Sequence, residues 1–197
     1  MSSPFDISGI AAPARDSAIL RNLEGYWQSL RTAQTLPARN DLAPHLIDAA
    51  LPHAFILHRV APGVARIRVA GQRIHDFLRM DARGMPFSIL FGPASRDQLS
   101  NLVETAFIRP AIIAAELTAP AQMMRAPLKA DMIMLPMVDD QGVTSRILGG
   151  IVTDGVIGSK QRRFDLATGA ALRIEPLPVA QKPDAARPAL RLVVNNC

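Results

Sequence analysis

The chain is poor in the residues that most often announce a function. It has one Cys, one Trp and one Tyr in 197 residues, and aromatics make up 5% of it. The cysteine is the last residue, Cys197, which excludes a disulfide framework and any multi-cysteine metal site. A reducing compartment fits that usage. No apolar run reaches the roughly 18 residues that a membrane helix needs. The opening "MSSPFDISGIAAPARD" has no basic start followed by an apolar stretch, so no signal peptide is expected. These absences read as a soluble, cytoplasmic protein with no membrane insertion. Catalytic signatures are missing too. There is no glycine-rich phosphate loop, no G-x-S-x-G elbow, no HExxH and no Cys/His cluster.

What is present is apolar and aliphatic. Hydrophobic residues make up 49% and charged residues 20%, too apolar for a disordered chain and enough for a sizeable core. With so few aromatics, that core must be built mainly from Leu, Ile, Val, Ala and Met. Net charge is +5 and unevenly placed. From Gly158 to Cys197 seven Lys or Arg face Asp165, Glu175 and Asp184, a balance of +4 that leaves +1 for everything before. Such a scattered basic tail reads as solvation, and nucleic-acid binding is not expected from it.

The chain divides into four stretches: a loose arm over 1–15, N-terminal helices over 16–51, a core over 52–157 and a basic extension over 158–197. Asp16 can cap a helix to about Arg31. Ile19, Leu20, Leu23, Tyr26, Trp27 and Leu30 recur at steps of one helical turn and give one apolar stripe. Pro37 blocks continuation. A second, shorter helix is expected from Asp41 to about Ala50, with Pro44 in its first turn.

"HAFILHRV" (53–60) and "VARIRVAG" (64–71) read as an antiparallel hairpin. Alternation puts Ala65, Ile67 and Val69 on one face and Val64, Arg66 and Arg68 on the other. Short helical pieces follow at 72–80 and 84–91, then an amphipathic helix over 94–108 that Ser95 or Asp97 can cap. Strands are expected at 111–119, 127–139 and 145–155, the last two joined by the turn "DDQG" (139–142). In the middle strand Leu128, Ala130, Met132 and Met134 oppose Lys129, Asp131, Ile133 and Leu135, with Asp131 on the wetter face. Two strands, a run of helices, then three strands is an α+β order with an antiparallel sheet. The stretch 176–188 is Pro-rich, and "ALRLVV" (189–194) could be a strand or an amphipathic end.

The polar candidates are few. His58 lies mid-strand on the face of Ala54, Ile56 and Val60. His75 falls in a short helix. A lone histidine in apolar surroundings is more often a hydrogen-bonded core residue than a ligand. No two carboxylates are brought together for acid–base work, so recognition rather than turnover is expected, and the chain is not read as an enzyme. The Gly pair in "RILGGIVTDG" reads as close packing or a bulge.

Several spaced pieces carry a resemblance. "YWQSLRTAQTLPARNDLAPHLI" contains W-x-x-L-R and then L-P-x-R-x-D. "RIRVAGQRIHDFLRMDARGMPFSILF" contains R-x-x-x-A-G and a later R-G before a short helix. With "LPHAFILHRV" between them, these pieces resemble the PAS-like proteins of the PAS_5 type, over roughly Tyr26 to Glu175. No stretch reads as an attached kinase, cyclase or DNA-binding domain. The resemblance implies a five-stranded antiparallel sheet with helices on one face, capped by the N-terminal helices. It also implies a small-molecule pocket or a docking surface. Candidate pocket residues are then Ile56, His58, Ile67, Phe77, Phe87, Phe91, Phe107, Met132, Met134 and Ile151. Leu23, Tyr26, Trp27 and Leu30 on the cap helix would cover the sheet or a partner subunit. Arg39 and Asp41 would fix the joint by a salt bridge or backbone hydrogen bonds. A homodimer and a signalling partner are expected, with a small ligand but neither haem nor flavin: no histidine is strongly placed for haem, and no light-sensor cysteine motif occurs.

Overall fold

The structure, a computed structural model, describes residues 17–121, 126–167, 169 and 171–178. The arm before residue 17 and the stretch "ALRLVV" lie outside the described residues, as does most of the Pro-rich stretch. Helix α1 (Ala18–Leu30) starts at Ser17, whose hydroxyl accepts the Leu20 N–H at 3.4 Å. The cap is therefore Ser17 and not Asp16. Leu20, Leu23 and Trp27 are the buried residues of α1, spaced at three and four as a helix requires.

No second α-helix forms after Pro37. Three separate 3₁₀ turns take its place, at Arg39–Asp41, Pro44–Leu46 and Leu51–His53. The physical reason is proline. Ala43, ahead of Pro44, is held in an extended conformation (φ −107°, ψ 97°), which a continuous helix cannot pass through. Asp41 instead turns back and accepts the Ala38 N–H at 2.8 Å.

The expected core order appears: β1 (Ala54–Ala61), β2 (Val64–Ala70), α2 (Gln72–Leu78), α3 (Arg96–Ile108), β3 (Ala111–Ala119), β4 (Leu128–Val138) and β5 (Thr144–Asp154). The short helical piece expected at 84–91 is a 3₁₀ helix, Phe87–Leu90. The five strands form one antiparallel sheet in the order β2-β1-β5-β4-β3. The "DDQG" turn closes as expected. Asp139 Oδ1 accepts the N–H groups of Gln141 and Val143 at 3.0 Å, and Gly142 takes a left-handed φ of 79°. Ser95 precedes α3 but does not cap it. Its hydroxyl bonds to the Asp165 carboxylate at 3.1 Å and accepts the Leu166 N–H at 2.9 Å.

That contact belongs to a difference from expectation. The sheet does not stop at five strands or at residue 157. Two short strands, β6 (Asp165–Leu166) and β7 (Leu172–Pro176), pair with the free edge of β3. They satisfy backbone groups that β3 would otherwise present unpaired. Part of the basic extension is thus sheet.

As expected, α2 and α3 lie on one face of the sheet, and α1 caps the opposite face. On the inner face, Phe55, Leu57, Ile67, Met132, Met134, Ile147 and Ile151 meet side chains of α2 and α3. On the outer face, Ile56, Ile112, Ile133, Leu135 and Leu148 are covered by Leu20, Leu23 and Trp27 of α1. The face of β4 expected to be wet is therefore buried at Asp131, Ile133 and Leu135 and exposed only at Lys129. Trp27 closes this layer by donating its indole N–H to the Pro136 carbonyl at 3.1 Å. The Gly pair of β5 makes both layers close. A Cβ on Gly149 would collide with the Phe55 ring and the Ile133 carbonyl, and one on Gly150 would press on Leu20 and Leu23.

Candidate functional site

Eight of the ten candidate pocket residues come together in the inner cluster: Ile67, Phe77, Phe87, Phe91, Phe107, Met132, Met134 and Ile151. They fill it. Phe55 and Phe87 stand 4.9 Å apart between ring centroids, Phe77 and Phe164 5.0 Å, Phe87 and Phe91 5.4 Å. The edge-to-face and tilted geometries are those aromatic quadrupoles favour. The other two lie elsewhere. Ile56 belongs to the outer cluster, and His58, two residues on along the same strand, shares its face.

Of the cap-helix candidates, Leu23 and Trp27 are fully buried inside the chain's own outer layer. Tyr26 packs beside them, and its hydroxyl accepts the Ala43 N–H at 2.6 Å. Leu30 ends the helix, half-buried. This stripe covers the sheet. His75 has a local duty: its Nδ1 accepts the Ala82 N–H at 3.0 Å and shapes the loop after α2.

The outer face holds the features that sequence reading missed. Two open clefts adjoin one another there. One, of about 550 Å³, is lined mainly by apolar side chains including Leu42, Ile47, Leu51, Ile56 and Leu148. The other, of about 450 Å³, is lined by Arg39, Asn40, His58, Arg68, Val69, Asp140 and Arg146. Arg39, Asn40 and Val69 belong to both.

Strand register builds the second cleft. His58 stands directly across from Arg146 of β5. On the other side, Ile56 pairs with Val69 and Leu57 with Ile67, so Arg68 is the extra residue of a β-bulge. The bulge turns Val69 onto the face of Ile56, opposite to what simple alternation predicts. Arg68, on the same face as Arg66, lines the cleft beside His58. Arg39 arrives from the 3₁₀ joint. The expected joint is thus half as supposed: Asp41 fastens it through the Ala38 N–H, while Arg39 lines the clefts and forms no ion pair with a described residue.

Electrostatics there are one-sided. Burial, then the charges of Arg68 and Arg146, hold the His58 imidazole below its ordinary pKa, with Asp139 partly opposing them. His58 Nδ1 and Arg146 Nε are buried with no hydrogen-bond partner. His53, at the other end of β1, is also held low, chiefly by burial and despite its contact with the Ile151 carbonyl. Among the described residues, no group of three or more His, Cys, Asp or Glu is placed to hold a metal ion. No described helix is long and apolar enough to cross a membrane.

A curled antiparallel sheet with short helices on its inner face and an N-terminal helix across its outer face is a PAS-type arrangement. The PAS_5 family model, described as a PAS domain, matches residues 15–152, and the chain belongs to that family. Among solved structures, it is similar to a light-oxygen-voltage domain studied with a flavin analogue. That similarity has 16% identity and a TM-score of 0.41, and covers 56% of this chain and 85% of the other. It is also similar to the light-state LOV domain of the blue-light photoreceptor Aureochrome1. There the identity is 14% and the TM-score 0.38, with 58% of this chain and 89% of the other covered. No curated protein matches the chain.

Proposed function

We propose that the chain is a regulatory PAS module whose work is recognition: it binds a small ligand or a protein partner in signal transduction and catalyses nothing. PAS domains commonly serve sensing and signalling. The observation that carries the reading is the division of labour between the two faces. The inner face is packed by its own aromatic side chains and keeps a smaller hollow of about 220 Å³ beside Phe87 and Leu99, whereas the outer face leaves ligand-sized clefts of about 550 and 450 Å³ bordered by the 3₁₀ turns after α1. An event in those clefts lies next to the turns that join α1 to the sheet, a short route to a partner. A second reading, an adaptor that forms a homodimer and takes no ligand, draws on the large apolar side chains left exposed at Leu46 and Val156.

Native mass spectrometry of the purified chain separates the two. A small-molecule mass carried with the chain supports the sensor. A dimer of bare chains, with no added mass under gentle conditions, supports the adaptor and contradicts the sensor.

A further inference from the structure

We propose that the paired outer clefts bind a small soluble amphiphile. Its anionic head, a carboxylate or a phosphate, would sit among Arg39, Arg68, Arg146 and His58. Its apolar body would lie in the adjoining cleft against Leu42, Ile47 and Ile56. The inference rests on the recognition reading above and names the ligand class.

Four observations converge. First, the cleft is cationic. Three arginines face a single carboxylate, Asp140, so it carries +2 with His58 neutral. Second, no ion pair or side-chain hydrogen bond joins Arg39, Arg68 or Arg146 to another described residue, and Arg146 meets Asp139 only through its charge. The nearby Asp139 is occupied by its own turn, accepting from Gln141, Val143 and Ser145. Third, Arg146 Nε and His58 Nδ1 are buried without partners in this cleft. Buried polar groups are nearly always satisfied, and exceptions concentrate at functional sites. A planar or tetrahedral oxyanion is the partner that guanidinium forks fit best. Fourth, the apolar cleft opens onto the cationic one through Arg39, Asn40 and Val69. A ligand filling both needs charge at one end only. Each cleft falls in the range of about 300–1,000 Å³ usual for small-molecule sites.

The two nearest structural explanations do not account for the cluster. Arg66, the other residue directly across from His58, donates to the Gly84 carbonyl at 2.7 Å and is held there. Arg68 lies on the same face of β2 as Arg66 and lines the cleft, but has no carbonyl of its own to hold it.

The test is calorimetric titration of the full chain with decyl phosphate, decanoate, decanol and inorganic phosphate, each below its aggregation concentration. The two anionic amphiphiles should bind at least about tenfold more tightly than decanol or inorganic phosphate, the worth of one charge-assisted hydrogen bond. Arg146→Gln should weaken decyl phosphate at least about tenfold on the same grounds, with no fall in melting temperature. Arg68→Gln, on the exposed bulge, provides the same test if Arg146→Gln folds poorly. Decanol binding as tightly as decyl phosphate overturns the anion assignment while leaving small-molecule recognition standing. Inorganic phosphate binding as tightly overturns the amphiphile. Undiminished binding by both variants overturns the site. Binding to phosphatidylglycerol vesicles with none to the soluble amphiphiles overturns the ligand class. No binding of any probe overturns the proposal, and a bare native mass spectrum beside it sinks the recognition reading as well.

Discussion

Phe55 and Ile56 are neighbours on β1 and meet different surroundings. The Phe55 ring lies 4.9 Å from Phe87 in a core of aromatics, while the Ile56 side chain borders an open cleft. The same strands therefore present a tightly packed inner face, with a hollow of about 220 Å³ beside Phe87 and Leu99, and an outer face with wider clefts. Two helices and a 3₁₀ turn supply the inner cover. One helix and a chain of proline-broken turns supply the outer cover, and such turns cannot tile a sheet as a helix does. Charge follows the same division. The inner cluster is apolar throughout, and the outer cleft gathers three arginines and a histidine.

The largest effect is expected from the inner face. Phe77→Ala, which removes the edge-to-face partner of Phe164, should cost about 3–5 kcal/mol in chemical denaturation. A cost under about 1 kcal/mol would mean that the inner face already contains slack and could itself hold a ligand.

The Gly pair offers a matched comparison between the faces. Gly149→Ala should cost about 1–3 kcal/mol or more, because the Phe55 ring and the Ile133 carbonyl cannot yield. Gly150→Ala should cost less, since the tips of Leu20 and Leu23 can swing aside. Equal costs would remove the distinction between a rigid inner layer and a more yielding outer one.

A smaller effect is expected from pH. Both His53 and His58 are held below the ordinary value of 6.5, with burial the leading cause. The unfolded chain then takes up protons before the folded one does. Stability from these groups is complete above 6.5 and declines as pH falls through that value towards the lower folded values. Melting temperature should therefore drop between about pH 7.5 and pH 5.5. His58→Gln should shrink the drop. A melting temperature that rises on acidification would contradict the direction given for both histidines.

The smallest effect is expected where the cleft is concerned. Arg146→Gln should change stability by no more than about 0.5 kcal/mol, or raise it slightly, because it removes a like charge and an unpartnered buried donor. A loss of several kcal/mol would make Arg146 a structural residue.

Much of the fold was legible in residue spacing. The stripe of Leu20, Leu23 and Trp27 marked the buried side of α1, and Leu128 to Met134 marked the inner side of β4. These are local signals, set by the periods of helix and strand. The outer layer was less legible because its cover comes from distant parts of the chain. Nothing within β4 says that α1 will bury Ile133 and Leu135. The second helix failed at Pro44, where the restriction on the preceding residue outweighed the apolar spacing. Val69 fell on the unexpected face because one bulged residue reverses every later assignment along a strand. The cationic cleft was hidden because its residues come from distant parts of the chain. Arg39, Arg68 and Arg146 look scattered in sequence, and only strand register and the fold-back of the 3₁₀ joint gather them around His58.

Hydrogen exchange with and without decyl phosphate asks directly which face recognises a ligand. Added protection is expected in the segments that border the outer clefts: the turns from Arg39 to His53, the β1–β2 hairpin around Arg68, and β5 around Arg146. Added protection centred instead on α2 and α3, with none at those segments, would place recognition on the inner face and contradict recognition at the outer clefts.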